Sequence, residues 1–235
     1  MIRQATNNDA NGVEAITQAV WNQKIDHEVF QNQIENDTCV IHVAIEHNHV
    51  VGFLSSFLTI DVHHNRRWEV DLLVVRPENQ GYGLGTALIQ SVWDDAQKHR
   101  AGFARAMVRT DNIASQKAFS RAGYSTNGKR HHLYLWPPQI QPEQTMLPNN
   151  VTLLPMDTLT YRGLWIEGLI TPTRTDKEQS DILSKAQNIV VTQKRLNTGA
   201  VIPMDEETVL SKDLLASGTI HGEYGWWVKS LKDIH

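Results

Sequence analysis

Apolar positions in this chain switch repeatedly between a period of two and a period near 3.6. MIRQA reads as a short strand. Val13, Ile16 and Val20 then recur at helical spacing, with Asp9 placed to cap the helix, and HEVFQNQIEND reads as a second, weaker helix. TCVIHVAIE and VVGFLSSFLTI, separated by HNH, read as two paired strands. RRWEVDLLVV reads as a strand whose second half is apolar throughout, which implies burial on both faces. From Leu84 the positions Leu84, Leu88, Val92 and Ala96 mark one face of a helix that ends near HRAG, with Gly102 as its stop. ARAMVRT is a strand, NIASQKAFSRAG a helix closed by Gly123, and KRHHLYLW a strand.

The pattern then lapses. PPQIQPEQTMLPNN holds four of the eight prolines and has little periodicity, so residues 137–150 read as a linker between a domain over 1–136 and another over 151–235. Beyond it the spacing predicts a strand in YRGLWIEGL, a helix within KEQSDILSKAQNIVVTQKRLN, a strand in GAVIPM, a helix in DEETVLSKDLLASG and a strand in EYGWWVKSL. This order repeats the second half of the first domain. AMVRTDNIASQKAFSRAG aligns with AVIPMDEETVLSKDLLASG, which makes an internal repeat the economical reading. The expected fold class is α/β (α+β): a mixed central sheet flanked by helices, plus a smaller, related α/β half-domain.

Composition narrows the partners. The 235 residues carry a formal charge of −4 and no long basic run, which disfavours nucleic acid. The single cysteine, Cys39, excludes a disulfide within the chain and fits a reducing, cytoplasmic setting. MIRQATNND lacks the apolar core of a signal peptide, and no apolar stretch reaches the roughly 18 residues of a membrane span, so no membrane partner is expected.

The densest chemical signal is NQGYGLGTALIQ, with Gly81, Gly83 and Gly85 between a strand and a helix. Such a turn exposes free N–H groups at the positive end of a helix dipole, and glycines let phosphate oxygens approach them. A Walker loop fails because Thr86-Ala87, not Lys-Ser/Thr, follows Gly85. A dinucleotide fingerprint fails on glycine spacing and on its position after several strands. A tight turn without a ligand remains open on the glycines alone.

Gln80-Gly81-Tyr82-Gly83-Leu84-Gly85 resembles Q/R-x-x-G-x-G/A, the acyl-CoA signature of the GNAT superfamily of N-acyltransferases. LLVVRPENQGYGLGTALI is similar to that family's strand, pyrophosphate loop and helix, and NIASQKAFSRAGY resembles its second motif. The likeness covers about the first 136 residues, and the rest looks like a degenerate copy of the family's C-terminal half. The resemblance implies transfer of an acyl group, most often acetyl, from acetyl-CoA to a primary amine of a small molecule or peptide. It implies that the apolar strand splays from its neighbour, with Leu73, Val74 and Val75 along the thioester and pantetheine and the Leu73 N–H as oxyanion donor. The N–H groups from Gln80 through Gly81, Tyr82, Gly83, Leu84 and Gly85 to Thr86 are then expected to hold the pyrophosphate. Asn112, Ser115 and Phe119 border the cofactor, and Lys117 and Arg121 reach toward the adenosine phosphates.

For the base, the resemblance points to Glu69 on the same strand. Asp71, two residues on, shares its face and is expected to bind a cationic acceptor or to perturb Glu69. Where the family often has a tyrosine acid this chain has Phe119, which cannot donate a proton; Tyr134 is the substitute candidate. His132 or His131 is expected in the acceptor cleft. No metal is expected, because adjacent histidines in a strand face opposite ways and cannot chelate together. Trp226-Trp227 reads as core, interface or ligand platform. The second half lacks the phosphate turn, so one CoA site is expected, with the second half packed on the first as an internal pseudo-dimer that walls the acceptor cleft; homodimerisation is the other expectation. A catalytically silent acyl-CoA-binding module is the rival to the enzyme.

Overall fold

The computed structural model describes residues 1–141 and 146–231, so residues 142–145 of the predicted linker and 232–235 lie outside the described residues. Among the described residues ten strands run in chain order: β1 (Ile2–Gln4), β2 (Cys39–Glu46), β3 (His49–Ile60), β4 (Arg66–Val75), β5 (Phe103–Arg109), β6 (Arg130–Trp136), β7 (Thr152–Asp157), β8 (Arg162–Glu167), β9 (Thr198–Pro203) and β10 (Thr219–Ser230). The α-helices are α1 (Ala10–Trp21), α2 (His27–Glu35), α3 (Leu84–Ser91), α4 (Trp93–Lys98), α5 (Ile113–Arg121), α6 (Asp176–Thr192) and α7 (Lys212–Ser217). Among the described residues no helix is long and apolar enough to cross a membrane.

All ten strands form one mixed sheet in the order β1-β2-β3-β4-β5-β10-β6-β9-β8-β7. The last strand of the chain therefore fills the space between β5 and β6. It pairs antiparallel with both: Tyr224–Ser230 lie along β5, and residues 219–225 lie along β6. β6 in turn separates β10 from β9. Outward from the β10–β6 boundary the two directions are alike. Each gives an antiparallel pair (β10 with β5, β6 with β9), then a parallel pair (β5 with β4, β9 with β8), then an antiparallel pair (β4 with β3, β8 with β7). The halves are thus related by a near-twofold, each donating its last strand to the other.

Strand alternation places the core. Ala104, Ala106 and Val108 of β5 pack with Leu88, Ile89, Val92 and Phe119 under α3–α5. Tyr134, Trp136, Leu164 and Ile166 pack under α6 and α7 on the same face. On the opposite face α1 and α2 cover Val43, Phe53, Leu72 and Val74. The sheet also curls until its far strands meet. Phe57 of β3 packs on Leu154 and Met156 of β7, the Val62 N–H donates to Thr152 Oγ1 (3.1 Å), and Gln33 Nε2 donates to Asp157 O (2.9 Å). The concave space inside this curl is bounded by both halves.

Several elements depart from their sequence reading for local reasons. Asp9 does not cap α1; its carboxylate takes Arg3 (2.7 and 2.8 Å) and the Thr6 N–H (2.8 Å), closing a 3-10 turn over Asn7–Asp9. The helix expected from Leu84 to HRAG breaks at Val92, and Arg100 (φ 54°), not Gly102, takes the left-handed position after α4. DEETVLSKDLLASG forms a 3-10 turn over Met204–Val209 and only then α7. β7, which carries Pro155, has no counterpart in the sequence reading; as the last strand of the sheet it has a free edge on which a missing N–H costs little.

Candidate active site

Two cavities abut on β4. One, of about 570 Å³, is bounded by Leu73, Val74 and Val75, by the glycine loop, and by the start of α5 at Asn112 and Ser115. The other, of about 420 Å³, begins at Glu69, Val70, Asp71 and Leu72. The boundary between them falls between Leu72 and Leu73.

In the first cavity the glycines act through backbone conformation. Gly81 and Gly83 hold φ of 86° and 84°, where an L side chain is strained, and an added Cβ would meet nothing within 4 Å. The space beside them is therefore open to a ligand. Gly83 begins α3 without a side-chain cap, and the first helix bond runs from the Ala87 N–H to Gly83 O (3.0 Å). The N–H groups of Leu84, Gly85 and Thr86 are left at the positive end of the helix. An added Cβ at Gly85 would make ordinary contacts with Ala118 (3.7 Å) and Leu73 (3.8 Å), so this glycine sits where α3, α5 and β4 converge. Gln80 has a different task from the one expected. Its N–H donates to Pro77 O (3.3 Å) and its side-chain amide to Val75 O (2.9 Å), which frames the loop. Tyr82 is 83% exposed and outside the cavity wall.

The Asn112 side chain accepts from the Ser115 N–H (3.0 Å) and caps α5 at the cavity wall. Lys117 and Arg121 line the same cavity, and neither side chain has a hydrogen bond or ion pair among the described residues. Phe119 does not border it. It lies on the inner face of α5, edge-on to Tyr124 at 5.1 Å.

β4 and β5 part as expected: they pair only from Arg67–Phe103 to Glu69–Arg105, although both strands continue. The Arg76 N–H donates to Val51 O (2.9 Å). Antiparallel alternation from that bond turns the peptide groups of Leu73 and Val75 away from β3, toward the gap. The Leu73 N–H therefore faces the seam between the cavities.

At the second cavity a bulge sets the geometry. Val70 pairs with Ser56 and Leu72 with Ser55, so Asp71 is the extra residue on β4. The Asp71 side chain is exposed at the wall of the cavity, although protein atoms surround it on the other sides. Loss of hydration among those atoms pushes its pKa up to about 7; a Thr158 hydroxyl bond pulls it back, and the Glu69 charge adds to the rise. Glu69 is buried and committed. It accepts from Arg105 Nε at both oxygens (2.9 and 2.8 Å) and from the Thr59 hydroxyl (2.5 Å). Glu167, from the second half, joins the network by bonding Arg105 (2.7 Å) and Arg67 (2.8 Å).

Tyr134 and His132 require correction. Leu133 and Leu135 of β6 face the cavity, and alternation turns Tyr134 and His132 to the other side of the sheet. There both bond Glu207 Oε1, Tyr134 at 2.9 Å, and burial together with that carboxylate pushes the Tyr134 pKa up to about 12. His131, though buried, does not line the cavity either. The wall instead takes residues that sequence reasoning did not place: Met156, Thr158, Tyr161 and Trp165 from the second half. Trp226 and Trp227 divide their two readings, Trp226 facing the cavity and Trp227 the core.

The second half repeats the strand splay, since β8 and β9 pair only at Leu164–Thr198 and Trp165–Gly199. The helix that follows is closed to an anion. Thr175 and Glu178 form a capping box over the first turn of α6, and Asp176 adds another negative charge.

Residues 10–124 match the sequence model of the acetyltransferase (GNAT) family. No curated protein sequence matches the chain. Among solved structures, a GCN5-related glucosamine N-acetyltransferase region of a fungal multi-domain GH3 β-N-acetylglucosaminidase superposes with a TM-score of 0.62 at 12% identity, over 97% of this chain and 38% of that one. The chain thus spans well under half of that relative's length. A GCN5-related N-acetyltransferase from Sphaerobacter thermophilus superposes with a TM-score of 0.57 at 12% identity, over 98% of this chain and 95% of that one. Both likenesses are of fold and extend over both halves. Residues 10–124, which hold the glycine loop and the splayed strand, are thus a GNAT acetyltransferase domain.

Proposed function

We propose that the protein transfers an acetyl group from acetyl-CoA to a primary amine that enters through the second cavity. The observation that carries this reading is the seam on β4, where a phosphate-ready cavity and a carboxylate-bearing cavity share one strand. Along that strand the parts follow in working order. A rise of about 3.3 Å per residue puts Leu73 roughly 7 Å beyond Asp71, with the glycine loop farther on. The free N–H groups of Leu84–Thr86 hold the pyrophosphate, and the unpaired edge of β4 guides the pantetheine arm to the seam. The Leu73 N–H receives the charge that develops on the thioester oxygen. The neutral amine nitrogen bonds the acetyl carbon, the carbon–sulfur bond breaks and the second amine proton goes to the CoA thiolate, while Asp71 has taken the first proton from the bound ammonium. Its pKa near 7 suits this role. Glu69, with its oxygens held by Arg105 and Thr59, orders the floor of the site.

The test is acetyl-CoA turnover across an amine panel, with Asp71→Asn beside wild type. Turnover that falls about 100-fold in Asp71→Asn supports the reading. Tight CoA binding without turnover on any amine points to a silent acyl-CoA-binding module instead.

A further inference from the structure

We propose that the second cavity selects a primary amine with one positive charge and a compact apolar body, of the arylalkylamine kind, over polyamines, amino sugars and peptide N-termini. The proposal rests on the acyltransferase reading and adds the acceptor class.

Charge limits the acceptor to one cation. Glu69 and Glu167 are matched by Arg105 and Arg67 in a network closed by bonds of 2.7–2.9 Å. Asp71 is the carboxylate left facing the cavity. A second ammonium on a polyamine would meet guanidinium groups where it needs a carboxylate.

The wall limits the body. Phe57, Met107, Met156, Trp165 and Trp226 contribute apolar surface from both halves. Polar tips among the rings are already used: Tyr161 donates its hydroxyl to Asn197, and the Trp165 indole N–H reaches the Tyr161 oxygen (3.4 Å). The Arg105 guanidinium covers one face of Trp226 at 4.4 Å. Gln23, Thr160 and His221 add polar groups to the lining, but sugar hydroxyls or peptide amides pressed against its apolar surfaces lose water without gaining partners there. Beneath the cavity β10 and β6 are each paired on both edges and offer none to a peptide. At about 420 Å³ the space lies near the lower end of the ~300–1,000 Å³ typical of small-molecule sites.

Steady-state kinetics with acetyl-CoA on phenethylamine, tryptamine, spermidine, glucosamine and a short peptide test the assignment. The expected result is a kcat/KM for the two arylalkylamines at least tenfold above the others. Trp165→Leu is expected to raise the KM for phenethylamine at least fivefold and leave that for acetyl-CoA unchanged. Met107→Asp, which adds a carboxylate to the wall, is expected to move the kcat/KM ratio toward spermidine. Preference of the wild type for spermidine, glucosamine or the peptide overturns the acceptor class and leaves the acyltransferase reading standing. So does an unchanged ratio in both variants. If no amine is acetylated, the acyltransferase reading falls, and calorimetry of phenethylamine with the CoA-loaded protein decides the cavity: binding weakened in Trp165→Leu upholds the ligand class, and no binding overturns it.

Discussion

Asp71 combines a bulge, a place on the cavity wall and a neighbouring carboxylate, and its titration offers two linked measurements. As the proposed base, Asp71 acts in its ionised form, so log kcat/KM is expected to rise with pH and level off above about 7. Stability moves the other way. The folded pKa is raised, so the native state binds more protons than the unfolded state from about the ordinary value of 3.8 up to about 7. Across that window rising pH costs stability, and Asp71→Asn is expected to remove this part of the slope in urea titrations at pH 4 and pH 8. Glu69→Gln separates the two carboxylates. It removes a like charge, so the inflection in the rate profile is expected to shift below 7 while activity persists. It also leaves Arg105 short of a buried partner, with an expected loss of about 3 kcal/mol in denaturant unfolding. An inflection that vanishes in Glu69→Gln would return the base to Glu69. The two carboxylates were visible in the sequence as a pair on one strand. Which of them is free depends on Arg105, Thr59 and Glu167, the last 98 positions away from Glu69 and brought there by the fold.

At the scale of elements, the glycine loop joins local and functional demands. Gly83→Ala places a Cβ on a left-handed residue at the start of α3, with an expected cost of about 1–2 kcal/mol in thermal unfolding. Because that residue sets the direction of the free N–H groups, the acetyl-CoA Kd is expected to rise about tenfold by calorimetry. A rise in Kd without loss of stability would mean that the loop reshapes freely. Elements with strong local signals were legible with good boundaries: β4 matches RRWEVDLLVV, and α5 lies within NIASQKAFSRAG. Elements whose geometry is set by neighbours were not. β7 carries a proline that argues against a strand until its place at the sheet edge is known. The predicted helix DEETVLSKDLLASG shortens, and Glu207 in its 3-10 turn bonds His132 and Tyr134.

At the scale of the whole molecule, the exchange of β6 and β10 makes the halves interdependent. A chain ending at residue 136 would leave β5 and β6 with unpaired edges and the second cavity without its far wall. Its expected behaviour is insolubility or loss of a cooperative unfolding transition by circular dichroism. A soluble, fully active 1–136 fragment would show that the second half is dispensable. Local periodicity was enough to read the order of most elements, and the glycine turn and the Asn112 motif carried the family resemblance from which an acyl-CoA cosubstrate is expected, because each depends on residues within about one element of one another. The insertion of β10 between β5 and β6, the curl that brings Met156 and Trp165 opposite Asp71, and the removal of Tyr134 to the far face depend on strand order and curvature. Strand order and curvature are set by contacts between residues as many as 100 or more positions apart, whose pairing no local pattern encodes, and only the folded sheet decided them.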